Sequence, residues 1–295
     1  MERKVDTAFK LKKKIEDKED IDNPIVYLEK SEIVQKYSEL ENLTDLGKIF
    51  ALIGLSEIPY SHELAITKEL VAFINSHIAT NEGFSYTRKA EGLVPCYNAM
   101  LLEAYCKLGL GKTDETQKAL NWIKQYQLFE RNKTTTWREN GICKHGGCLK
   151  KTPCYIGIGK TIRVLIAYQE LVDNKDEKVE YLLEKGTNYM LNQKMYKRLS
   201  NGEAISAHIT DNMFPQSYAL SLTDIVYITG KRALWGLKAT KDLRTLIESK
   251  RTKKEGWKNE YIYKYKGYIA FDNRRQESPW ITDIIENSLK DCSNN

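Results

Sequence analysis

The chain has 295 residues, of which 41% are apolar and 29% charged, a balance ordinary for a globular protein and far from that of a disordered one. Its 46 Lys and Arg against 40 Asp and Glu give a net charge of +6, spread too evenly along the chain to argue for a nucleic-acid partner. No apolar run approaches the roughly 18 residues of a membrane span, so no transmembrane segment is expected. Charges also stand where a secretion signal would carry its apolar stretch, so the expected location is cytoplasmic, where thiols stay reduced.

Residues 1–22 form a Lys/Glu-rich segment, read as separate from a single domain over 23–295. Beyond it the hydrophobic period is close to 3.6 almost throughout, which predicts an all-α chain. Helices are expected at Asp45 to Leu55 and His62 to Ile78, broken at Pro59. The pairing then recurs: 97–111 with 113–129, where Thr113 is a plausible N-cap, then 155–171 with 176–193, and 215–229 with 239–250. A last helix starts at Pro279. In each pair the first helix is apolar with small residues and the second amphipathic, as expected of an inner and an outer helix. Between pairs, "NEGFSY", "ERNKTTTW" and "KKEGW" should turn the chain and tuck a ring against the preceding helix. Inner-helix starts near 45, 96, 154, 217 and 279 repeat every 50 to 63 residues, the pattern of a helix-pair array, open or closed into a ring. Alternation in "NEYIYKYKGYIAF" predicts the one strand-like piece, a hairpin turning at Lys266-Gly267.

The densest chemistry lies in "CKHGGCLKKTPC", where Cys143, His145, Cys148 and Cys154 fall within twelve residues. In a reducing compartment such a cluster reads as metal-binding or catalytic before it reads as disulfide-forming, although its spacing matches none of the regular structural zinc patterns. Cys106, inside "LLEAYCKLG", reads as a small buried hydrophobe.

The ordered segments "LVPCYNAMLLEAYCKLGL", "TPCYIGIGKTIRVLIAY", "MFPQSYALSLTDIVYI" and "SPWITDIIENSLKD", with a degenerate Gln-Trp-type turn in "SKRTKKEGWKN", resemble the α/α toroid superfamily of squalene and terpene cyclases and prenyltransferase β-subunits. The nearest resemblance is to a bacterial group of squalene-cyclase-like, prenyltransferase-like proteins. It implies an all-α toroid in which the starts of the inner helices meet at one mouth of a central cavity. Cys96 and Cys154, each following a proline at such a start, would then lie together, and Cys143, His145 and Cys148 could add ligands to a Zn2+ ion. Prenyltransferases and lanthionine cyclases of this superfamily hold zinc at that mouth to activate a thiol. Whether His145 or Cys148 completes the shell stays open, as does the alternative that these cysteines are ordinary thiols.

Toroid geometry also makes Tyr97, Asn98, Tyr155 and Trp280 cavity-lining candidates, with Asp224, Tyr218 and His208 as catalytic ones. Asp224, among Leu222, Ile225 and Val226, is expected to have a raised pKa suited to acid-base work, or else to cap or bond a neighbouring helix. No acidic D-x-D-D or D-D-x-x-D run is present, which separates the chain from the cyclases and diphosphate-ionising synthases. The expected function is a zinc-dependent enzyme that activates a thiol or similar nucleophile of a peptide or small-molecule substrate. The alternatives are a terpene-cyclase-like enzyme acting on an isoprenoid, and a non-catalytic toroid binding a peptide or lipid with structural zinc.

Overall fold

A computed structural model describes residues 5–137 and 153–290. Among the described residues the regular structure is helical: no strand forms, and β pairing is limited to isolated bridges such as Ala79 with Phe84. Three helices, α1 (Thr7–Glu16), α2 (Pro24–Glu29) and α3 (Glu32–Ser38), precede the paired array. The inner set is α4 (Asp45–Leu55), α6 (Pro95–Lys107), α8 (Tyr155–Leu171), α10 (Leu222–Lys231) and α12 (Pro279–Lys290). Between them run α5 (Ala65–His77), α7 (Asp114–Tyr126), α9 (Glu177–Asn192) and α11 (Lys241–Ser249).

Burial separates α4, α6, α8 and α10 from the outer helices as the apolar periodicity requires, while α12 buries one face only. Every residue of α6 from Pro95 to Cys106 is buried, and every residue of α8 from Gly157 to Tyr168. In α7 only one stripe is buried, Thr116, Ala119, Leu120, Trp122 and Ile123. Side-chain caps fix the starts of several helices: Thr44 accepts from Gly47 N, Thr113 from Thr116 N and Asp176 from Val179 N. Helix α10 starts at Leu222, later than the apolar pattern predicts. Ser221 and Asp224 form a reciprocal capping box there, and the preceding Phe214–Pro215 peptide is cis.

Contacts pass along the inner helices in order, α4 to α6, α6 to α8, α8 to α10 and α10 to α12, with α6 and α8 the most closely packed pair. Helix α1 then meets α12, where Phe9 packs on Trp280 at 5.2 Å between ring centroids and Lys13 Nζ donates to Asp283 at 2.8 Å. Through α3 the contacts return to α4. The charged N-terminal segment is thus part of this circuit, with Ala8 and Leu11 fully buried.

The inter-pair turns do tuck their rings inward. Trp137 packs at 5.6 Å on Trp122 and 4.9 Å on Tyr126 of α7, and Trp257 donates through Nε1 to Ile247 O of α11 at 2.9 Å. The hairpin expected over 259–271 is not formed. The chain does turn at Gly267 (φ +105°), but its tyrosines pack sideways on Phe50, with Tyr263 at 5.1 Å and Tyr265 at 5.7 Å, and the flanking segments build no ladder. The turn also touches α4 backbone to backbone: a Cβ on Gly47 would stand 2.6 Å from Lys266 O, and a Cβ on Gly267 would meet the Gly47 carbonyl.

Candidate functional site

The two proline-cysteine motifs open neighbouring helices. Pro95 is pre-set for the first position of α6, placing Cys96 second, and Cys154 is the N-cap residue of α8. Gly157, in the first turn of α8, lets Pro95 lie directly on it. A Cβ at Gly157 would be 3.0 Å from Pro95 Cβ and 3.8 Å from Cys154 Cβ, so the two helix starts are side by side. Cys96 is buried and Cys154 half-buried. Cys143, His145 and Cys148 lie outside the described residues, and among the described residues no three His, Cys, Asp or Glu side chains are grouped to hold a metal ion.

An aromatic shelf adjoins Cys96. Tyr97 packs against Tyr86 at 4.8 Å and stacks on Tyr218 at 5.7 Å, while Phe50 connects it at 6.3 Å to the tyrosines of the 259–271 segment. Tyr218 is 37% exposed, so the shelf reaches the surface. Burial, then the neighbouring Cys96, pushes the Tyr97 hydroxyl well above the usual tyrosine range, which makes it a neutral packing and hydrogen-bonding group. Tyr97 and Tyr218, chosen separately from the sequence, therefore form one surface.

Other candidates have structural duties. Asn98 is fully buried and bridges two elements, accepting from Phe84 N at 2.9 Å and donating to Ala119 O at 3.0 Å. Tyr155 donates to Met195 O at 2.6 Å and, with Cys154, borders a cleft of about 390 Å³. His208 stacks on Tyr261 at 3.5 Å and pairs through Nδ1 with Asp211 at 2.8 Å. Trp280 is buried among Phe9, Phe214 and Phe271.

Asp224 differs from expectation in its chemistry. Burial alone would raise its pKa, but Lys160 Nζ at 3.0 Å and Arg163 Nη1 at 2.8 Å outweigh burial and hold the carboxyl below its ordinary range. The Ser221 backbone N–H at 2.8 Å adds to the effect. An ionised carboxylate bonded on both oxygens is a poor general acid and a weak base at neutral pH, which favours the helix-bonding reading of Asp224 over the acid-base one.

Asp224 belongs to a larger buried network that joins α6, α8 and the start of α10 to Glu57, just past the end of α4. Arg163 also donates to Glu103 through Nε at 3.2 Å and Nη2 at 2.7 Å, and Lys107 joins Glu103 at 2.7 Å to Glu57 at 2.8 Å. Burial pushes the Glu103 carboxyl up, yet Arg163 and Lys107 overcome it and hold the group far below the usual range. Lys160, wholly buried, is the opposite case, because burial outweighs Asp224 and lowers its pKa. Three carboxylates, Glu57, Glu103 and Asp224, thus face three cations, Lys107, Lys160 and Arg163, a composition that balances buried charge.

Sequence reasoning reached this network only through Asp224. The same signal, a charged residue in an apolar inner helix, is present in "AMLLEAYC" for Glu103 and in "GIGKTIRVLIAY" for Lys160 and Arg163. Comparison of the chain with protein-family models, with curated proteins and with solved structures finds no match in any of the three.

Proposed function

We propose that the chain is an α/α toroid whose Cys96–Cys154 end holds zinc and activates a thiol or similar nucleophile of a peptide or small-molecule substrate. The observation that carries this reading is the seating of Pro95 on the first turn of α8, which sets two cysteine-bearing helix starts side by side. The return of packing from α12 through α1 and α3 to α4 supports a ring over an open array.

The donor set fits zinc as far as it is described. Cys96 and Cys154 supply two sulfur donors at helix N-termini, where the backbone favours thiolate over thiol. Cys143, His145 and Cys148, on the segment leading into Cys154, are the donors that would complete the shell. Bound there with one position open, zinc would stabilise a substrate sulfur as thiolate near neutral pH. The chain's own residues would do the rest: Tyr97, Tyr86 and Tyr218 present ring faces to an apolar part of the substrate. The charge network behind the cysteines holds α6, α8 and α10 in register.

The test is elemental mass spectrometry on purified protein beside its Cys96→Ser and Cys154→Ser variants. One zinc per chain in the parent and loss from both variants is the expected result. A metal-free parent, or zinc retained by both variants, would overturn the reading.

A further inference from the structure

A cavity of about 370 Å³ lies beside the C-terminal ends of α4 and α6 and along α12, away from Cys96 and Cys154, lined among others by Glu57, Lys107, Arg163, Tyr227, Trp280 and Asp283. Eleven residues of helix separate Cys96 from Lys107, about 16 Å along α6. The volume falls within the range of small-molecule sites, roughly 300–1,000 Å³. We infer that this cavity binds a small zwitterion carrying both an ammonium and a carboxylate on an apolar body, of the class of a free apolar α-amino acid.

Charge balance excludes a simple ion first. With three carboxylates and three cations in the network beneath the cavity, a ligand of net charge would enter without a counter-charge. At the rim the two carboxylates Asp283 and Glu16 face the two cations Lys12 and Lys13, and Lys231 is paired with Glu170, so the balance holds there too. A zwitterion leaves that balance unchanged.

One unfilled valence then orients it. The Glu57 side chain is only 9% exposed, and its Oε2 accepts from Lys107 at 2.8 Å. Its Oε1 is buried with no hydrogen-bond partner, and the nearest cation, Arg163 Nη2, stands 3.7 Å away, beyond hydrogen-bond reach. A buried carboxylate oxygen without a donor is costly, and a ligand ammonium supplies one. For the ligand carboxylate, Lys107 has three N–H groups and gives one each to Glu57 and Glu103, leaving a third. The apolar body has its own surface: Trp280, Phe214 and Ile284 line the cavity, together with Tyr227, whose ring lies 4.7 Å beneath the Arg163 guanidinium.

Isothermal titration calorimetry on the full chain tests this with L-phenylalanine, L-leucine and two analogues, 3-phenylpropionate without the amine and phenethylamine without the carboxylate. The expected result is saturable binding of at least one amino acid, with the analogue series at least tenfold weaker than L-phenylalanine where that is the amino acid bound. Glu57→Gln should weaken the amino acid at least tenfold, and circular dichroism confirms that the variant is folded. Failure of both amino acids to bind, equal binding of all three phenyl compounds, or a folded Glu57→Gln variant with unchanged affinity would each overturn the inference. The discrimination among ligands needs no variant, and none of these readouts depends on zinc or on Cys96.

Discussion

Replacing Glu103 by Gln removes one negative charge from the network while keeping the side chain's shape. Glu103 is fully buried and accepts three hydrogen bonds from cations, two from Arg163 at 3.2 and 2.7 Å and one from Lys107 at 2.7 Å. In the variant two carboxylates would face three cations, leaving one buried positive charge without a partner. Breaking a buried pair in this way costs about 3–5 kcal/mol. Lys107 is 18% exposed, so water recovers part of its loss, and the lower end, about 3 kcal/mol, is expected. Equilibrium unfolding in urea at neutral pH measures the loss. The sign of its pH dependence follows from the depressed Glu103 pKa: the carboxylate's contribution is complete above its ordinary value of 4.5 and is lost as pH falls from there toward the folded-state value. The gap between parent and Glu103→Gln should therefore narrow in acid. Adding Arg163→Gln restores two against two, so the double variant should lose less than the sum of the single losses, with a coupling of about 0.5–3 kcal/mol. A loss below about 1 kcal/mol at neutral pH, a gap that widens in acid, or strict additivity would refute a buried, mutually dependent network.

Two further outcomes follow from other parts of the fold. Gly267→Ala forces a Cβ into a φ of +105° and against the backbone of Gly47, so it should destabilise by at least about 1–3 kcal/mol; an unchanged thermal midpoint would show that the 259–271 segment does not lie on α4. Cys106 is buried, and burial followed by the nearby Glu103 carboxylate pushes its thiol up to about 12. It should resist iodoacetamide at pH 8 in the native protein and react only on unfolding, as mass spectrometry of digests would show; native alkylation would refute the packing of α6.

From Asp45 onward the paired helices are legible because their causes are local, whereas the three short helices before them are not among those the apolar period predicts. Asp45 to Leu55 carries its own cap and apolar face, and Thr113 is followed by an amphipathic run, so both helices form as read. The 259–271 segment forms no hairpin despite its alternation, because alternation reports which residues are apolar, not what they pack on. Its tyrosines alternate, but their partner is Phe50 of α4, more than 200 residues earlier in the chain. The apolar neighbours of Asp224 mark it in the sequence and allow either a raised pKa or a bond to a neighbouring helix. The direction reversed because Lys160 and Arg163 arrive from another helix, a pairing that no local window contains. Cys96 and Cys154 fared differently, since a proline-cysteine pair at each helix start also fixes where each thiol sits along its helix.

The network also bears on which substrates suit the proposed toroid. An isoprenoid cyclase needs a deep apolar chamber along the axis of its inner helices, and a group able to start the reaction by protonation. Here Glu103 of α6, Lys160 and Arg163 of α8 and Asp224 in the first turn of α10 lie between those helices with side chains at most 6% exposed, and the carboxylates among them are held ionised. A long hydrocarbon threaded through that region would have to displace ion pairs whose disruption costs several kcal/mol each. The proposed zinc end then suits a peptide or small molecule presented from outside at a cysteine and tyrosine rim, and the proposed zwitterion site is a separate, partly open cavity with charged and apolar walls.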